Sequence, residues 1–254
     1  MAIRLRVLLH GAFAAAVLSA GVSAARADEI KVIAANAVKE PFLELVAAFE
    51  KSSGHKVASV WSGTDGVIKR ISGGEVVDIV IVGAANIDKL IQEGKVVAGS
   101  RVDFAKSGVG IAVREGLPKP DISSVEAVRK AVLEAKSVAY SSGPSGLYIV
   151  EMFKRMGIAG QVRDKLKIPP SNVLVGEVLA RGEADLGFQQ VSDLLHVKGI
   201  VYLGPLPAEI QNITVYATGL HTAAPRSEAA KALVRFLTAA QARPVIIKAG
   251  LDPG

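Results

Sequence analysis

The chain has 254 residues, half of them apolar, 5% aromatic and 21% charged, with no cysteine. This composition is globular rather than disordered or repetitive, and its length suits one large or two medium domains. The missing cysteine excludes disulfide scaffolds, thiolate nucleophiles and Cys-ligated metal centres. A formal charge of +6 would suggest nucleic acid or an anionic membrane, unless the charges sit elsewhere.

They do. Arg4 and Arg6 precede an apolar run from Val7 to Leu18, and small residues lead to Ala25-Arg26-Ala27 before Asp28. This is the order of a cleavable secretory signal, too short to span a bilayer, which needs about 20 apolar residues. Cleavage after Val22-Ser23-Ala24 is the alternative boundary. Removing residues 1–27 leaves 27 basic and 24 acidic residues, a net +3. The expected product is an exported periplasmic protein, not membrane-anchored, because no cysteine is present to carry a lipid. Lys and Arg are scattered without an aromatic series, so no nucleic-acid partner is expected.

Beyond the leader, Ile30–Ala35 reads as a strand, residues 41–51 as a helix behind Pro41, and Val57–Trp61 as a second strand. Asp65–Ile71 is a helix behind the Ser62-Gly63-Thr64 turn, and Ile79–Val82 a strand buried on both faces. Strand Gly108–Val113, helix Ser124–Ala135, strand Ser137–Tyr140 and helix Leu147–Met156 follow. A helix over 176–182, strands over 185–188, 201–203 and 213–217, and helices over 227–240 and 244–249 complete the chain. The alternation predicts a parallel α/β sheet.

Catalytic and metal motifs are missing. His55, His196 and His221 are isolated, Gly143-Pro144-Ser145-Gly146-Leu147 lacks the last glycine of a nucleophile elbow, and neither dinucleotide nor Walker fingerprint occurs. The expectation is therefore a protein with no catalytic residues, no metal and no cofactor. Polar loops instead cluster at strand ends: Asn36, Ser62–Gly66, Ser141–Gly146 and Gln189-Gln190. In open α/β sheets ligands sit beyond the carboxyl ends of strands, where helix N-termini present free N–H groups.

These loops, with the stretches Trp61–Ile71, Gly74–Ile81, Pro144–Tyr148 and Gly182–Phe188, resemble the molybdate-binding-protein-like family of periplasmic solute-binding proteins of ABC importers. The resemblance spans essentially the whole chain after residue 27. It implies an α/β, two-lobed type II periplasmic-binding-protein fold, with two mixed sheets flanked by helices and a ligand cleft between lobes. Lobe one would comprise 28–105 and 212–254, lobe two 106–211. It further implies a monomer that captures a small polar or anionic solute and delivers it to an ABC transporter permease. The alternatives are a molybdate or tungstate carrier proper and a ligand-sensing subunit for a receptor kinase.

The family's first serine position falls on Asn36, its second on Thr64, its backbone donor on Ser145, a further position on Asn172 or Val173, and its tyrosine on Gln190. Asn36, Thr64, Ser145 and Gln190 are the primary ligand-contact candidates, with Ser62, Asp65 and Gln189 behind them. Asp65 either points into the cleft, where it would repel a dianion, or caps the following helix.

Overall fold

In the computed structural model the described residues are 28–254, so the expected signal peptide lies outside them. The first β-α units run β1 (Glu29–Ala35), α1 (Lys39–Ser53), β2 (Lys56–Ser62), α2 (Thr64–Ser72), β3 (Ile79–Gly83) and α3 (Ala84–Gln92). The long strand β4 (Val102–Arg114) then carries the chain across. Beyond it come α4 (Val125–Glu134), β5 (Val138–Tyr140), α5 (Pro144–Arg155), α6 (Ala159–Val162) and β6 (Leu166–Lys167). Next are α7 (Val175–Ala180), β7 (Leu186–Gln190), α8 (Val191–Leu194) and β8 (Ile200–Pro205). The return strand β9 (Ile213–Leu220), α9 (Ser227–Thr238), α10 (Arg243–Lys248) and β10 (Asp252–Pro253) close the fold.

The strand order is β2-β1-β3-β9-β4-β7-β5-β6, with β10 and β8 also on β4. The β1–β2, β1–β3, β5–β7 and β5–β6 pairs are parallel. The expectation of a parallel sheet fails at the crossovers. Strands β4 and β9 run antiparallel to each other, β9 is antiparallel to β3, and β4 is antiparallel to β7. Hydrophobic alternation fixes which residues form strands but not the direction in which a returning strand is inserted.

β4 changes partners along its length. Residues up to Gly108 pair with β9, and from Val109 onward the strand pairs with β7 and β8. One core gathers Ile33, Phe42, Phe49, Ile81, Leu233 and Leu237 around the first sheet region. Another gathers Ile111, Val138, Ile149, Phe153 and Phe188 around the second. These are the two lobes, and Gln211, just before β9, clasps the β4 crossover. Gln211 Oε1 accepts from the Val109 N–H at 2.8 Å, and its Nε2 donates to the Val109 carbonyl at 3.1 Å.

Local chemistry sets the element ends. Gly54 takes φ +78° as the cap of α1, the left-handed conformation in which glycine carries no Cβ penalty. Helix α5 begins at Pro144, three residues before the expected Leu147, because proline suits a first helical position whose N–H would be unpaired anyway. Helix α3, set between its N-cap Gly83 and Gly94 just past its end, was not anticipated. The fully buried strand β3 matches its unbroken apolar run.

Candidate functional site

The ends of β1, β2, β5 and β7 converge on one cavity of about 40 Å³ between the lobes. From lobe one, Asn36 follows β1, and Thr64 opens α2. From lobe two, Ser141, Ser142 and Ser145 surround the start of α5, Ser171 lies before α7, and Gln189 and Gln190 end β7. Tyr216 of β9 also lines the cavity. Among the described residues no lysine, arginine or histidine does so. The donors that face the cavity are hydroxyls, amides and the N–H groups of the first turns of α2 and α5.

The hydroxyls are prearranged. Ser141 and Ser145 share a hydrogen bond at 2.9 Å, and Ser145 and Thr64 are buried. This packing depends on Gly146, where an added Cβ would lie 1.5 Å from the Ser141 carbonyl oxygen.

Five of the seven sequence candidates, Asn36, Thr64, Ser145, Gln189 and Gln190, line this cavity. Ser62 and Asp65 do not. Ser62 is buried next to the α2 start, whereas Asp65 is exposed in the first turn of α2. Neither alternative for Asp65 holds, because it points away from the cavity and α2 has no side-chain cap. Its charge simply faces the positive end of the helix dipole.

Gln190 lines the wall, but its amide is occupied. In the orientation that satisfies every partner, its nitrogen donates to Ser107 Oγ (3.2 Å) and to the Ser107 and Gly108 carbonyls (3.1 Å each), while its oxygen accepts from Thr214 Oγ1 (2.9 Å). It binds the crossover strands together from the cleft floor. Gln189 accepts from the Val175 N–H at 2.7 Å and donates to Asp193 at 3.1 Å.

Asp193, Tyr216 and Ser171 were missed. The cavity's acid is Asp193, not Asp65. It sits one helical turn beyond Gln189, a spacing visible in Gln189-Gln190-Val191-Ser192-Asp193 but carrying no motif. Asp193 keeps some surface open to the cleft, yet the dense floor around its carboxyl raises its pKa to about 7, opposed by the Gln189 hydrogen bond. Burial also pushes the Tyr216 hydroxyl well above its ordinary value, and the Asp193 charge acts in the same direction.

Asn36, Ala37 and Asp193 are shared with a second, outer cavity of about 380 Å³. Its walls bring Lys39 and Glu40 of α1 opposite Glu177, His196 and Lys198. Across the cleft, the Gly63 N–H at the start of α2 donates to the Ser171 carbonyl at 2.6 Å. A Cβ on Gly63 would lie 2.6 Å from that same oxygen. Gly63→Val is expected to hold the lobes apart and give a larger radius of gyration by small-angle X-ray scattering. An unchanged radius would show that the two loops can slide past each other.

Two lobes joined by crossover strands, with a polar cleft between them, define a type II periplasmic-binding-protein fold. Residues 30–252 match the model for bacterial extracellular solute-binding proteins, and the chain belongs to that family. An aconitate isomerase from Pseudomonas sp. is 35% identical over 230 residues, covering 88% of this chain and 87% of the relative. The molybdate-binding protein ModA of Azotobacter vinelandii is 28% identical over 229 residues, covering 88% and 89% of the two chains. The solved periplasmic molybdate-binding protein of Azotobacter vinelandii superposes with a TM-score of 0.75 at 19% identity, over 89% of this chain and 99% of that one.

The isomerase relative overturns the expectation of a protein without catalysis. The expectation rested on missing nucleophile and metal motifs. An isomerisation that only relocates a proton needs neither, so their absence carried no weight against it.

Proposed function

We propose that this protein captures a small unsaturated polycarboxylate of the aconitate kind in the interlobe cleft and isomerises it. The paired cavity carries this reading. The inner chamber, about 40 Å³ and lined by uncharged donors with Asp193 at its mouth, suits a single oxyanionic group. The outer chamber, about 380 Å³, sets Lys39 and Lys198 beside Glu40, Glu177 and Asp193, and its two ammonium groups with His196 are the donors open to further carboxylates of the same molecule. The 35% identical aconitate isomerase supports the same substrate class.

Molybdate or tungstate carriage is the second reading, favoured by the neutral inner donors and by relatives such as the ModA of Azotobacter vinelandii. Against it stands the outer chamber of about 380 Å³, which a single tetrahedral oxyanion in the inner chamber would leave unfilled. Either reading includes export to the periplasm after loss of residues 1–27 and a monomer that meets an ABC permease, or a receptor in the sensing variant. The family's extracellular solute-binding description supports this setting. The partner switch of β4 at Gly108 and Val109 supports lobe bounds of 28–105 with 212–254, and 106–211. Asn36, Thr64 and Ser145 are the expected ligand contacts, with Gln189 and Gln190 shaping the wall.

The test pairs proton NMR of cis-aconitate incubated with the purified exported protein against calorimetric titration with molybdate. Appearance of trans-aconitate is expected. Heat with molybdate and no conversion would replace this reading with oxyanion carriage.

A further inference from the structure

Asp193 occupies the doorway between the two chambers and, among the described residues, is the only acidic side chain lining the inner one. Its Oδ2 is fixed by the Gln189 amide, which cannot turn because its own oxygen holds the Val175 N–H. No described residue donates to Oδ1, and that atom is not sealed from the chamber. Tyr216 faces it from β9 on the inner side. On the outer side stand Lys39 and Glu40 of α1, Glu177 of α7, and His196 and Lys198 beyond α8. A molecule with one carboxylate in the inner chamber and others in the outer would place its central carbons beside this carboxyl.

We infer that Asp193 is the group that carries the proton in a 1,3 shift across the bound tricarboxylate. The inference rests on the substrate reading above. The Asp193 carboxylate removes one proton from the substrate methylene, and the freed C–H electron pair becomes a new carbon–carbon double bond. The electron pair of the former double bond takes a proton back from the Asp193 carboxyl at the other end of the allyl unit. Asp193 returns to its starting state, nothing is oxidised or reduced, and no co-reactant enters. The rotamer about the substrate's methylene–carbon single bond, frozen as that bond becomes double, sets whether the product is cis or trans. A carboxyl shifted toward neutrality by burial is matched to taking and returning a proton at ordinary pH.

The burial has a cost elsewhere, with a definite sign. A carboxyl whose folded pKa, about 7, exceeds its unfolded value, 3.8, makes the native state bind more protons between those values. Stability from this group therefore falls as pH rises through that window.

The experiment compares the wild-type protein with Asp193→Asn and Asp193→Ser using cis-aconitate in heavy water. Wild type is expected to incorporate deuterium at the methylene of recovered substrate, with a kcat/KM profile rising on an ionisation near 7. Both variants are expected to lose exchange and conversion by about 10²–10⁴-fold. Their calorimetric affinity for cis-aconitate should stay within about tenfold. Asp193→Asn should also melt higher than wild type at pH 8 and not at pH 4, a readout independent of turnover. Variants that exchange as fast as wild type would overturn the role. A wild-type protein that binds cis-aconitate but neither exchanges nor converts it would overturn the role while leaving the ligand class standing. One that does not bind it removes the substrate reading, and the role with it.

Discussion

Asp78→Ala is expected to lower the stability of the fold by about 3–5 kcal/mol, since a buried carboxylate's two charge-assisted hydrogen bonds are lost and two part-buried N–H groups are stranded. Asp78 is fully buried just before β3. Its Oδ2 accepts from the Lys31 N–H of β1 at 2.8 Å, and its Oδ1 accepts from the Arg226 N–H ahead of α9 at 2.9 Å. Its backbone completes the junction: its N–H donates to the Lys31 carbonyl at 2.8 Å, and its carbonyl accepts from the His221 N–H at 3.1 Å. One carboxylate thus joins the first strand, the third strand and the C-terminal segment. Asp78→Asn keeps one acceptor and turns an amide donor toward the other N–H, so roughly half the loss is expected. Thermal unfolding measures both. At about 2–4 °C per kcal/mol for a chain of this size, the alanine variant should melt some 6–20 °C lower. Equal melting temperatures for the two variants would show that the contacts to Lys31 and Arg226 are replaceable by water.

The second large effect is expected at the site. A methyl group on Gly146 cannot coexist with the Ser141 carbonyl 1.5 Å away, and the obstacle is backbone rather than a side chain that could rotate. Gly146→Ala therefore has to displace the Ser141–Ser142 loop or the first turn of α5. Either movement breaks the Ser141–Ser145 hydrogen bond and moves the N–H groups at the head of that helix. A ligand held by several donors in fixed positions is expected to bind about 10²-fold more weakly, as a displacement near 1 Å typically costs. Calorimetry with cis-aconitate, alongside circular dichroism to verify folding, reads the effect. Undiminished binding by a folded variant would place the anion away from α5.

Much of the fold was legible because its strands and helices carry strong signals. The buried run Ile79–Val82, the proline-led helices and the strand-end loops all fall where local chemistry dictates. The direction of β9 was not legible, because antiparallel insertion of a returning strand is decided by packing between distant segments. The same limit applied at the cleft. Asn36, Thr64 and Ser145 stand in turns that announce themselves, whereas Asp193 and Tyr216 reach the cavity from an ordinary helix and an ordinary strand. Asp65 attracted notice because its neighbours form a recognisable loop, yet helical geometry turns it outward one residue after Thr64 turns in. Single residues become interpretable as chemistry only when chain segments far apart in sequence meet.

The strand β4 has a consequence for how the molecule comes apart. Because its 13 residues supply an interior strand to both sheet regions, neither core can melt and leave the other with an intact neighbour. Losing one lobe exposes a bare strand edge in the other and removes the Gln211 clasp at the same moment. Unfolding should thus be cooperative across both cores, giving a single calorimetric transition with equal calorimetric and van't Hoff enthalpies. The strand that joins the lobes is also what makes them stand or fall together.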